Sequence, residues 1–179
     1  MRRKVTCTAQ TLTGELAALL LAQLDLTALL VLGGRDGLAG DLAGAATSQG
    51  YEPRVRGGAW ADAAGADLVV LDAVEEDTAR EIAARCSGAV VIVATATPVT
   101  DVQRLLDGTH LPRARIIGAS VEGAGPITAA ARAVEIVDAV LRDRRRELSA
   151  AVLVLGEEGD EGVQLRAARI GAGGVQAIL

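Results

Sequence analysis

Three short runs constrain the fold more than anything else in the chain: Ala28–Leu32 (ALLVL), Ala66–Leu71 (ADLVVL) and Ala89–Thr95 (AVVIVAT). Each is leucine- or valine-rich and almost free of polar alternation. A strand of this kind must be covered on both faces, which is the condition inside a parallel sheet. Parallel neighbours need crossovers, and helices normally supply them. The intervening segments have the spacing for that role. Thr13–Leu24 puts Leu16, Leu19, Leu20 and Leu24 on one face. Gly37–Ser48 is small-residue and weakly helical, and Trp60–Ala64 makes a single helical turn. Glu75–Cys86 carries acids in its first turn, where the helix dipole favours them. Val99–Leu106 starts after Pro98. Arg3–Thr8, Tyr51–Arg56 and Arg113–Gly118 complete the β-type runs, and Gln10–Gly14 breaks the chain between the first strand and the first helix. The first part of the chain therefore predicts a doubly wound α/β unit of about six strands with right-handed crossovers.

The remainder reads differently. Pro126–Leu148 is the longest predicted helix, with Ile127, Ala131, Val134, Val137 and Leu141 on one face. Its basic end, Arg142–Arg146, reads as a solvated face suited to a helix C-terminus. Ala150–Leu155, Val163–Arg169 and Val175–Leu179, joined by glycine-containing turns, predict an antiparallel meander. Gly156–Gly162 (GEEGDEG) lacks the alternating oxygen ligands of a calcium loop and reads as a hairpin end.

Composition excludes several functions. The chain has 179 residues, 50% of them hydrophobic, with no Phe, one Tyr and one Trp. Its core must be built from Ala, Val, Leu and Ile, and the stacking platforms of single-stranded nucleic acid binders are missing. A net charge of −5 argues against phosphate-backbone binding, so no nucleic acid partner is expected. No apolar run reaches the ~18–20 residues of a membrane span, and no cleavage site follows the basic Met1–Lys4. Cys7 and Cys86 lie in apolar contexts and read as buried free thiols of a reducing, cytoplasmic compartment.

Few residues are candidates for chemistry. Lys4 is the only lysine, which rules out a P-loop, and the lone His110 cannot build a zinc site. No metal site is expected. Ser48, Ser87, Ser120 and Ser149 have no partner base. Gly171–Gly174 (GAGG) has no following helix to present to an anion and reads as a hairpin turn. Asp72, Glu75 and Glu76 form either a carboxylate cluster at a strand's carboxyl end or the acids expected before a helix. Arg80, Arg85, Arg104, Arg113 and Arg115 read as solvated helix or strand-start charges.

Several phrases in order carry a resemblance. Arg3–Leu21 (RKVTCTAQTLTGELAALLL), Ala66–Leu71, Ala89–Pro98 and Arg113–Gly118 (RARIIG) are followed by Ile127–Arg146, Ala150–Leu155 and Ile170–Leu179 (IGAGGVQAIL). Together they resemble the malate/lactate dehydrogenase family. The resemblance implies a mostly parallel, Rossmann-like sheet, followed by a long helix and a small antiparallel β-meander. It also implies a dinucleotide-binding-type segment, 1–122, and a remnant of the dehydrogenase C-terminal domain, 123–179.

The resemblance also shows what is missing. Ala9 stands where the family's first fingerprint glycine would be, Thr11 at the second, and Gly14 matches the third. The second glycine lets the backbone approach a pyrophosphate, and threonine adds a branched side chain there. Gly33 stands where an acid would hold the ribose hydroxyls. These four are the degenerate cofactor-binding positions. After Leu71-Asp72-Ala73 the family's arginine-bearing loop is absent. Thr97 replaces the Asn before Pro98, and Ala124 or Gly125 stands where the family has a small hydroxyl residue. Ala119–Glu122 bridges the place of the Asp-x-x-Arg helix and catalytic His, and His110 does not match that position. Hydride transfer to a keto acid needs a proton donor and a cationic clamp for the carboxylate. No catalytic residue is assigned on this reading, and NAD enters by resemblance alone. The expected role is a non-catalytic binding or assembly module. The alternative is an NAD-dependent oxidoreductase with residual or altered activity. The family pairs through helices equivalent to Gly37–Ser48 and the late helix, both Ala/Gly-rich here, so a homodimer or higher homo-oligomer is expected.

Overall fold

The computed structural model describes residues 3–24, 27–48, 54–119, 123–155 and 161–179. Strands β1 (Arg3–Thr8), β2 (Thr27–Leu32), β3 (Val55–Gly58), β4 (Leu68–Leu71), β5 (Val90–Val93) and β6 (Ile116–Ala119) are all parallel. Helices α1 (Leu12–Ala22), α2 (Leu38–Ser48), α3 (Thr78–Arg85), α4 (Pro98–Gly108) and α5 (Pro126–Leu141) alternate with them. β7 (Arg146–Leu155), β8 (Glu161–Gly171) and β9 (Gly174–Ile178) are antiparallel, and β7 pairs with β6. Among the described residues the result is one nine-stranded sheet in the order β3-β2-β1-β4-β5-β6-β7-β8-β9. This is the doubly wound α/β arrangement with a late helix and meander that the sequence predicts.

The unbroken apolar runs are explained by two cores. Along β2, β4 and β5, successive residues alternate between faces. Leu29, Val31, Leu68, Val70, Val90 and Ile92 enter one core with α1, α2 and α5. Leu30, Leu32, Val69, Leu71, Val91 and Val93 enter the other with α3 and α4. Cys7 and Cys86 are both buried free thiols, one in each core. Among the described residues no helix is long and apolar enough to cross a membrane.

Several expectations are corrected. α1 buries Gly14, Ala17, Ala18 and Leu21, while Leu19 is exposed. The reason is its partner, α5, which presents Ala129, Ala130 and Ala133. Small residues on both helices permit close approach, so the leucines fall on the flanks. In α5 itself the buried set is Ala129, Ala130, Ala133, Ile136, Val137, Ala139 and Val140, and Ile127 and Ala131 are exposed. This helix ends at Leu141, not Leu148. Asp143 and Arg145 take left-handed backbone angles (φ 47° and 50°), and β7 begins at Arg146. The basic run turns the chain and is braced by acids of α5: Arg142 and Arg144 meet Asp138 at 2.7 and 2.9 Å, and Arg146 meets Glu135 at 2.7 Å. The Arg113–Gly118 run splits into a 3-10 turn at Arg113–Arg115 and β6. The third strand starts at Val55, and residues 51–53 of the expected run lie outside the described residues. α3 starts at Thr78, because the Thr78 hydroxyl accepts from the Glu75 N–H at 2.9 Å and holds the acids in a preceding turn. Residues 156–160 of the acidic stretch also lie outside the described residues.

Candidate functional site

Strand order reverses between β1 and β4, and in sheets of this type ligands bind beyond the carboxyl ends at such a switch point. The segment Thr8–Gly14 sits there. The Ala9 N–H donates to the Leu32 carbonyl at 2.9 Å, extending β1 against β2. Thr11 caps α1, its side chain accepting from the Gly14 N–H at 3.5 Å. Gly33 directly follows β2 with φ 72°, and a Cβ on it would lie 3.5 Å from Gln10 Cγ. The fold thus brings Ala9, Thr11, Gly14 and Gly33 to one place.

The feature that sequence reasoning missed at this place is the direction of Asp72. Its carboxylate is buried and turns under the loop. Thr8 Oγ1 donates to one oxygen at 2.6 Å; the Thr11 N–H and Thr11 Oγ1 donate to the other at 2.6 and 2.8 Å. The Asp72 N–H in turn donates to Thr8 Oγ1 at 3.0 Å. A desolvated carboxylate is tolerable only with such partners, and the α1 N-terminus adds a favourable dipole. Gly14 makes room for it: a Cβ there would lie 2.5 Å from the Asp72 carboxyl carbon and 2.5 Å from the Thr8 carbonyl oxygen. Glu75 and Glu76 stay exposed in the turn before α3, so the three acids do not form one cluster.

A second carboxylate is treated the same way one strand over. Asp101, buried in the first turn of α4, accepts from Thr95 Oγ1 at 2.6 Å and Thr97 Oγ1 at 3.0 Å. Arg104 Nη1 approaches its other oxygen at 3.3 Å and donates to the Val74 carbonyl at 3.1 Å. The sequence signal for this group was the phrase Thr95-Ala96-Thr97-Pro98-Val99-Thr100-Asp101, which places two hydroxyls and an acid around a helix start.

Other charged candidates are engaged locally. Arg80 pairs with Asp77 at 2.5 Å, Arg85 with Glu81 at 2.5 Å, and Arg113 with Glu161. Arg115 donates to the Gly88 carbonyl at 3.1 Å. Beyond Gly33, Arg35 is held by Asp41 at 2.7 Å and lies 3.9 Å from Glu15. His110 is exposed in the connection from α4 to β6, which is the amino edge of the sheet. Gly125 caps α5, and Ser120–Glu122 lie outside the described residues. Gly171–Gly174 is the β8–β9 turn, where the Ala172 N–H donates to Asp143 at 2.9 Å. Burial pushes the Cys7 thiol far above its ordinary range, with the Asp72 charge adding to the effect; burial raises Cys86 as well. Neither thiol is a nucleophile in this state. Among the described residues, no group of three or more His, Cys, Asp or Glu side chains could hold a metal ion.

No family model and no curated protein matches the chain. Solved structures do. Lactate dehydrogenase from Cryptosporidium parvum, complexed with lactic acid and nicotinamide adenine dinucleotide, aligns with a TM-score of 0.90 at 16% identity, covering 100% of this chain and 90% of that one. Malate dehydrogenase from Aeropyrum pernix aligns at 0.88 and 20% identity, covering 98% and 89%. Malate dehydrogenase from Cryptosporidium parvum gives 0.88 and 16%, covering 100% and 91%. The chain has the malate/lactate dehydrogenase fold.

Proposed function

We propose that this chain is a non-catalytic binding or assembly module built on the malate/lactate dehydrogenase fold. One observation carries the reading: the only histidine of the sequence, His110, stands on the amino edge of the sheet, away from the switch point. Reduction of a keto acid by hydride needs a proton donor beside the carbonyl. The buried carboxylates at the carboxyl edge, Asp72 and Asp101, are already bonded to threonines and, for Asp101, an arginine. Among the described residues, three arginines that could have served as a cationic clamp, Arg35, Arg104 and Arg113, are each paired with an acid. The expected result is no NADH oxidation by the pure protein with oxaloacetate or pyruvate. Clear turnover would reject the reading.

The residues at the switch point do not fit a dinucleotide held in the usual way. A threonine occupies the second glycine position, a glycine the ribose anchor, and the N–H and hydroxyl of Thr11, which caps α1, are bonded to Asp72. The competing reading, a nicotinamide-dependent oxidoreductase of altered activity, draws its support from the fold alone. Calorimetric titration with NAD, NADP, ATP and FAD tests it: no heat from any of them leaves the enzyme reading without a cofactor.

We also infer self-association, in a reducing cytoplasmic setting consistent with the two unpaired thiols. Gly40 and Gly44 lie exposed one turn apart on α2 with open space where a Cβ would stand, a surface another helix can approach closely. We read 1–122 as a degenerate dinucleotide-binding domain and 123–179 as a remnant of the dehydrogenase C-terminal domain, joined in one sheet by the β6–β7 pairing. A two-fold dimer or higher assembly is expected by light scattering at micromolar concentration, and a pure monomer would remove this part.

A further inference from the structure

We propose that Asp72 is a built-in anion that takes the place of a phosphate at the head of α1 and makes the carboxyl edge refuse pyrophosphate-containing ligands. The inference concerns binding rather than turnover, and it deepens the reading of the switch point given above, on which it rests. The N-terminus of a helix after the first strand is a ready anion site because its N–H groups point outward and its dipole favours negative charge. In this chain a negative charge is already there, covalently attached through β4. The N–H of Thr11, the residue that caps α1, is given to Asp72 at 2.6 Å, and the Thr11 hydroxyl at 2.8 Å. Thr11 thus turns the side chain at the second glycine position inward, onto the carboxylate. The other carboxylate oxygen is taken by Thr8 at 2.6 Å.

Gly14 gives independent support. In a dinucleotide fingerprint this glycine serves close helix–strand packing. Here the space that its missing Cβ leaves is filled by the Asp72 carboxylate together with the Thr8 carbonyl. The glycine is therefore accounted for without any nucleotide. A phosphate approaching the same terminus would meet a buried like charge that already holds the N–H and hydroxyl of the capping Thr11. Two anions on one set of donors disfavour each other, as two carboxylates sharing a site do. The bonds span 61 and 64 residues of sequence, so the same carboxylate also ties β4 to β1 and α1.

The test uses the full-length chain and inorganic pyrophosphate as the probe. Thermal melting is compared in ~10 mM pyrophosphate and in sodium chloride of equal ionic strength, for the unaltered chain, Asp72→Asn and Asp72→Ala. The asparagine keeps the size and can still accept from Thr11, so it carries the test if the alanine variant does not fold. The unaltered chain is expected to melt at the same temperature in both solutions. Either variant is expected to gain roughly 2–5 °C in pyrophosphate, the signature of a ligand bound to the folded state. A rise for the unaltered chain overturns the proposal, and so does the absence of a response from both variants. NADH oxidation bears on the non-catalytic reading and pyrophosphate stabilisation on this one, so the two fail separately.

Discussion

Replacing Gly14 with alanine sets two opposing effects against each other, and the structure decides between them. Gly14 lies inside α1 and its φ is not among the positive values, so the backbone accepts any L-residue. Helix propensity alone then predicts stabilisation by about 0.5–1 kcal/mol. The contacts predict the reverse. The new methyl group would lie 2.5 Å from the Asp72 carboxyl carbon and 2.5 Å from the Thr8 carbonyl oxygen. The second is backbone at the end of β1 and cannot swing away, so the helix must lift or the carboxylate must leave. Overpacking of this kind costs about 1–3 kcal/mol. Loss of even one hydrogen bond to a charged group adds about 1.5–3 kcal/mol. After the propensity gain is subtracted, Gly14→Ala should destabilise by ~2–5 kcal/mol, or about 4–20 °C in melting temperature for a chain of this size. Circular dichroism melts measure it. A double-mutant cycle with Asp72→Ala sharpens the test: the cost of removing the carboxylate should be smaller in the Gly14→Ala background, where it is already displaced. A variant as stable as the parent, or more so, would refute the placement of Asp72 against α1.

Three further outcomes follow from the geometry. Ala133→Leu, within the layer where α1 meets α5, should lower stability by about 1–3 kcal/mol in urea melts, while Ala131→Leu on the exposed side should leave it within about 0.5 kcal/mol; equal effects would refute the assignment of the buried face. Cys7 and Cys86 should resist a thiol reagent in the native state at pH 8 and both react in denaturant, because burial raises both thiols; rapid native labelling of Cys7 would contradict its place in the core. Asp143 is held below its usual value of 3.8 chiefly by the Ala172 N–H, helped by Arg145 and Gln176. A carboxyl depressed in the folded state stabilises above its unfolded value and loses that contribution as pH falls through the folded one. The Ala172 amide proton resonance should therefore titrate below the ordinary aspartate range, and Asp143→Asn should remove this pH dependence.

The parts of the fold that were legible in the sequence are those whose surroundings are uniform. Val90–Val93 and Leu68–Leu71 are covered on both sides, so any face they turn is apolar and the run alone identifies them. α1 was harder, because two faces compete: leucine is the more hydrophobic, but alanine and glycine let α5 come close. The end of α5 was hidden because nothing in Arg142–Arg146 marks a reversal; Asp143 and Arg145 adopt left-handed angles that glycine usually marks. At the switch point Ala9, Thr11, Gly14 and Gly33 were singled out by the family resemblance and not by their own spacing. The direction of Asp72 was not legible, since its partners Thr8 and Thr11 lie more than sixty residues earlier, and only the β1–β4 pairing brings them within reach.

The junction between β6 and β7 has a mechanical consequence. Among the described residues, the parallel and antiparallel regions of the sheet are paired there at Gly118 with Ala151 and Ala119 with Ala150. On its other side β6 is matched to β5 over three pairs, and β7 is matched to β8 over ten. A molecule that opened along this seam would part its parallel region from its antiparallel one. Opening would bare one flank of β6 and one of β7, two rows of unpaired amides that can recruit strands from other molecules. The glycine and alanines that let α4 and the sheet nest closely at this joint leave no charged gatekeeper to discourage that encounter.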